Sequence, residues 1–124
     1  MHNYKELKVW KKSVELATGV YSVTQAFPKT EQYGLTQQIR RAVVSISSNI
    51  AEGAGRKSDK EFSHFLTIAY GSLYELETQL LISLNLGFVS QSELPPIENE
   101  IVELQKMIYA LIKNLETVTV PSQY

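Results

Sequence analysis

Residues 37–56 read QQIRRAVVSISSNIAEGAGR. Adjacent Arg40 and Arg41, then Asn49 and Glu52, interrupt a run that is otherwise apolar or small. At about 100° per residue, Leu35, Ile39, Val43, Ile46 and Ile50 share one stripe. Gln37, Arg41, Ser45, Ser48 and Glu52 form a polar stripe, and Arg40, Val44, Ser47 and Ala51 a third line. This is an amphipathic helix, and it points to an all-α fold. The two arginines project about 100° apart, so one phosphate does not suit both. One then meets solvent and the other a neighbouring helix, with Glu75 and Glu77 as candidate carboxylate partners. The competing reading is anion contact. Asn49 and Glu52 lie one turn apart near the helix end, where they satisfy loop backbone groups or pair with Arg56.

Outward from this stretch, proline and glycine punctuate the chain into four long segments. The first runs from about Tyr4 to Ala26 and stops before FPK. The second runs from about Glu31 to Glu52 and stops at GAG. The third starts at Ser58, where SDKE reads as a capping box with Glu61, and ends at Gly87. The fourth starts around Leu94–Ile97, where Pro95 and Pro96 suit a first turn, and runs to about Val118; Pro121 follows. Short loops predict antiparallel neighbours, hence an up-down-up-down four-helix bundle. The 124 residues suit a single domain, 1–124.

The fourth segment has a narrow stripe: Ile97, Ile101, Leu104, Ile108, Leu111, Ile112 and Leu115. The first is different. Trp10, Val14, Ala17 and Tyr21 lie beside its core line of Val9, Leu16, Val20 and Val23. The arc spans roughly 200°, beyond the ~100° that a core face requires. The third segment likewise adds Tyr70, Tyr74 and Leu81 to its core stripe. Arcs this wide predict self-association. Gly71, mid-segment, costs roughly 1 kcal/mol against alanine and predicts close approach of another helix.

Net charge is −1, but residues 1–60 carry ten Lys/Arg and five Asp/Glu (+5), and residues 61–124 carry two and eight (−6). The split predicts a basic and an acidic face, for nucleic acid or for complementary contact between subunits. Cysteine is absent, so disulfides and thiolate metal sites are excluded and a reducing cytoplasm is expected. The charged N-terminus does not read as a signal peptide, and polar residues break every long apolar window, so no membrane span is expected.

Catalytic signatures are lacking. AEGAGRKS is not a phosphate-binding loop, because Arg56 separates Gly55 from Lys57 and a helix precedes it. Nor does it fit a helix-turn-helix, because Arg56, Glu61 and His64 fall where apolar residues belong. His2 and His64 show no metal-ligand spacing, and Glu75 and Glu77 project apart. Tyr33, Tyr70 and Tyr74 offer rings for base stacking, although tyrosines at helical spacing more often pack.

In order along residues 7–90 stand VW, FP, YGL, QIRRA, SNIAEG and GSLYELE. This series resembles the 23S rRNA-intervening sequence protein family. Ser47 departs from it, where the family often has proline. The resemblance implies a left-handed four-helix bundle assembled as a ring, typically a homopentamer, of poorly defined activity. A related accessory protein of diversity-generating retroelements, more basic than this chain, has nucleic-acid and reverse-transcriptase binding ascribed to it. The expected function is a non-enzymatic oligomeric scaffold, with RNA or another nucleic acid as a candidate partner and no cofactor or metal. The alternative is a protein-interaction module with no nucleic-acid role. Anion contact would fall to Arg40, Arg41, Arg56, Lys57 and Lys60. Asn49, Glu52, Gly53 and Gly71 are structural, and Trp10, Tyr21, Tyr70, Tyr74, Glu75 and Glu77 are assigned to the subunit interface.

Overall fold

The computed structural model describes residues 1–119, with side chains as far as Glu116; Pro121 lies outside the described residues. Four helices carry the fold: α1 (Lys8–Thr24), α2 (Leu35–Ala54), α3 (Asp59–Asn85) and α4 (Leu94–Thr119). There is no strand among the described residues. α1 packs on α2 and α4, and α3 packs on the same two, so the four close into a bundle. At the α1/α2 seam Thr24 lies beside Arg40, while His2 donates its N–H to the Ala54 carbonyl at 2.7 Å. At the α2/α3 seam Gly53 meets Phe62 and Phe65, while Ser45 meets Ser72 at 3.1 Å. Residue numbers rise along one helix as they fall along its neighbour at both seams.

The core is the set of stripes read from the sequence. Leu16 and Val20 of α1, Ile39, Val43, Ile46 and Ile50 of α2, Leu66, Leu73 and Leu76 of α3, and Ile101 and Ile108 of α4 are fully enclosed. Each such side chain contributes about 1.5–3 kcal/mol over its exposed state. Loop residues close the far end: Phe27 is buried and its ring packs on Phe88 with centroids 5.7 Å apart.

The helix ends differ from the sequence expectation for identifiable reasons. α1 starts at Lys8 rather than Tyr4. Asn3 accepts a hydrogen bond from the Lys5 N–H and winds Tyr4–Glu6 into a tight 3₁₀ turn, and Leu7 is extended behind it. α2 starts at Leu35, because Glu31 folds back and accepts the Leu35 N–H at 3.1 Å. α2 also runs through Gly53 to Ala54, so Gly53 is a helical residue and not a stop. The Ser58 hydroxyl accepts the Glu61 N–H at 3.1 Å and starts α3. Gly87, at φ 78°, ends it: the Phe88 N–H reaches back to Ser83 and the Gly87 N–H to Leu84, a Schellman closure. The start of α4 holds a signal missed in SQSE. The Ser90 hydroxyl accepts the Glu93 N–H at 3.1 Å, and the Glu93 carboxylate accepts the Ser90 N–H at 3.0 Å.

Candidate functional site

The arginine pair differs in partners, although both side chains border one concavity. Arg40 leans onto α1, where its Nε donates to Thr24 Oγ1 at 2.9 Å and its Nη2 to the Tyr21 carbonyl at 3.3 Å. Its guanidinium also lies 4.5 Å from the centre of the Tyr21 ring. Arg40 thereby satisfies the last turn of α1, where orphan carbonyls and the helix dipole favour a cation. Arg41 is exposed and has no hydrogen bond or ion pair among the described residues. The carboxylate partners expected for the pair are not used. Glu75 and Glu77 lie on α3, while Arg40 packs on α1, on the other side of α2.

Other expectations for this helix are also corrected. The Asn49 amide donates to the Ser45 carbonyl (2.8 Å) and hydroxyl (3.0 Å) one turn back on its own helix, and not to the loop. Glu52 meets Arg56 at 3.3 Å. Arg56 also stacks over Phe65 at 4.7 Å, while Lys57 and Lys60 are exposed at the same end of the bundle. Fourteen residues of helical rise, roughly 21 Å, separate Arg40 from the end of α2 at Ala54, and Arg56 lies just beyond it. The five candidate anion-contacting residues therefore form two clusters. A Cβ at Gly53 would stand 2.6 Å from Phe65 Cβ, so this is the glycine at which helices approach closely. Gly71 has nothing within 4 Å of such an atom, and the predicted close approach is absent within this chain.

Among the concavities along the α1/α2 seam, two meet at Tyr21. One, of about 500 Å³, is lined by Val14, Ala17 and Tyr21 of α1 and Ser47 of α2, among others, with no charged group among the described residues that line it. The other, of about 550 Å³, lies toward the α1–α2 loop, with Tyr33, Thr36, Arg40 and Arg41 in its walls and no carboxylate among the described residues. Trp10, in line with Val14, is half-buried against the Tyr4 ring at 4.9 Å.

On the opposite side of the bundle the α3/α4 seam carries a ridge of tyrosines. The Tyr70 and Tyr74 hydroxyls lie 3.2 Å apart, and the Tyr109 ring lies 6.3 Å from that of Tyr70. The Tyr70 hydroxyl is pushed above the usual tyrosine pKa, first by its hydrogen bond to Tyr74 and then by desolvation. Glu77 and exposed Leu81 continue the same helical line; Glu75 points away from it. The α1/α4 seam is charged instead, with Lys12 and Glu103 at 2.6 Å. Glu100 nearby is held above the usual carboxylate pKa, first by partial burial and then by Glu15. No group of three or more metal-ligating side chains occurs among the described residues, and no helix there is long and apolar enough to cross a membrane.

The family model for 23S rRNA-intervening sequence proteins matches residues 5–110, which span both seams and all but the end of α4. The chain belongs to this family. A crystal structure from the S23 ribosomal protein family, of a Bacteroides thetaiotaomicron VPI-5482 protein of unknown function, has the same fold. It is 25% identical, with a TM-score of 0.79 over 85% of this chain and 98% of that one. No curated protein matches the chain.

Proposed function

We propose that the protein is a non-enzymatic helical scaffold that assembles with copies of itself, ring-fashion, through two unlike faces. The observation carrying this reading is the pairing of an uncharged α1/α2 furrow with a tyrosine ridge on the opposite side of the same bundle. Unlike faces on opposite sides generate a heterologous contact, which closes into a ring when the rotation permits. Charge favours the same pairing, because Arg40 and Arg41 flank the furrow and Glu77 lies on the ridge. Family resemblance sets the expected number at five. Light scattering on the purified protein should then give about five times the 14.0 kDa chain mass. A mass of one chain at micromolar concentration would overturn the assembly reading.

A second reading, association with RNA, is favoured by the cationic concavity beside Tyr33. Titration with a structured RNA at low and near-physiological salt tests it. Phosphate contacts make affinity fall steeply as salt rises. Arg41→Ala is a cleaner variant than the double Arg40→Ala/Arg41→Ala, because Arg40 also braces α1. No binding at either salt would leave the protein-only module.

A further inference from the structure

We propose that the concavity at the α1–α2 loop end is a binding pocket for one nucleoside phosphate. This rests on the nucleic-acid reading; the pocket shares Tyr21 with the furrow, so a subunit seated in the furrow would border the ligand. Three features carry it. The first is charge. Two guanidinium groups line the pocket and no carboxylate does among the described residues, so the site favours an anion. Arg40 is already fixed by Thr24 and Tyr21 through Nε and Nη2, while its Nη1 has no partner among the described residues. A pre-positioned, planar guanidinium with donors to spare suits a phosphate or a base face. Arg41 supplies a second, unpaired charge.

The second feature is an aromatic platform. Tyr33 is 83% exposed, an unusual placement for a ring unless something covers it. A base has a flat face that such a ring or an arginine plane can accept. Gln32 and Gln37 in the same walls offer amides of both hydrogen-bonding senses for a base edge. The third is Thr36. This residue is 7% exposed, lies in the same wall, and its hydroxyl has no hydrogen-bond partner among the described residues. Unmet buried hydroxyls are costly, and a bound polar group relieves that cost through a water or a small rotation. The space, about 550 Å³, is within the ordinary range for small-molecule sites.

The source of the ligand is either a free nucleotide or an unstacked residue of single-stranded RNA, and both present the same base and phosphate. Calorimetric titration with adenosine 5′-monophosphate and, separately, a ten-residue oligoadenylate RNA tests the site at near-physiological salt. Saturable binding of either is expected, weaker for adenosine alone and for inorganic phosphate alone. Binding of the monophosphate assigns the site to free nucleotide, and binding of the oligomer alone assigns it to RNA. Tyr33→Ala and Arg41→Ala alter exposed side chains, so folding should survive. Each should weaken binding at least about fivefold. Arg56→Ala/Lys57→Ala, at the other end of the bundle, should not change it. Absence of saturable binding by both probes at millimolar concentration overturns the proposal. So does binding unaffected by Tyr33→Ala. RNA binding lost only in Arg56→Ala/Lys57→Ala would retain the nucleic-acid reading and reject this pocket.

Discussion

Two glycines that look alike in sequence have opposite surroundings. Gly53 sits where α2 crosses the start of α3, with Phe62 and Phe65 against its backbone. Gly53→Ala should therefore cost about 1–3 kcal/mol, because the new methyl meets Phe65 Cβ and the backbone carbonyl of Phe62, neither of which is a flexible chain end. Gly71 is exposed in mid-helix with open space around it. Gly71→Ala should stabilise the isolated chain by roughly 0.5–1 kcal/mol through helix propensity and a less disordered unfolded state. Urea unfolding of the two variants against the parent measures both. A Gly71→Ala variant of lower stability or altered mass would mean that a neighbouring subunit, rather than this chain, approaches the glycine.

At the level of the element, adjacent arginines belong to different structures. Arg40 ties α2 to the end of α1 through two hydrogen bonds and a ring contact, so Arg40→Ala should destabilise by about 1–3 kcal/mol. Arg41→Ala should stay within about 0.5 kcal/mol, as expected for a surface substitution. Thermal unfolding side by side separates the two roles. The start of α4 gives a pH test. The Ser90 backbone and side chain hold the Glu93 carboxyl below its ordinary 4.5. A lowered folded pKa means that the carboxylate's contribution is present above 4.5 and is lost as pH falls through the folded value. Between about pH 5 and pH 3 the parent should thus lose more stability than Glu93→Gln, whose cap does not titrate. Equal losses would show that the box does not form in solution. Removing the hydroxyl instead, Ser90→Ala, should cost about 1 kcal/mol at neutral pH.

For the whole molecule, the two glutamates of the acidic half separate assembly from general charge. Glu77 lies in line with Tyr70, Tyr74 and Leu81, while Glu75 is exposed and points elsewhere. If the proposed ring contact forms, Glu77→Lys should lower the assembled mass, because it would set a cation on the ridge opposite the arginine-flanked furrow. Glu75→Lys should leave the mass unchanged, although it alters net charge equally. Sedimentation at several concentrations distinguishes them, and identical behaviour would remove the ridge from the interface. The apolar arcs of the first and third segments pointed to these two seams, since Trp10–Tyr21 and Tyr70–Leu81 exceed what one core can enclose. The sequence left open that the α1/α2 seam holds concavities around Tyr21 while tyrosine rings gather on the α3/α4 seam, a matter of how neighbouring helices sit side by side.

The sequence by itself determined four helices and the faces that build the core. Both follow from local periodicity, because a residue's direction from its own helix axis depends only on its spacing from its neighbours. The capping chemistry at Ser58 and Gly87 was legible for the same reason. Only the tertiary structure decided which neighbour each flank meets. It sent Arg40 to α1 instead of to the glutamates of α3, bound Asn49 to Ser45 of its own helix instead of to the loop, and made Gly53 rather than Gly71 the crowded glycine. It also brought Tyr33, from a loop without periodicity, beside Arg40 and Arg41. Helical period fixes direction around one axis, but the order and axial register of helices come from packing the whole core at once.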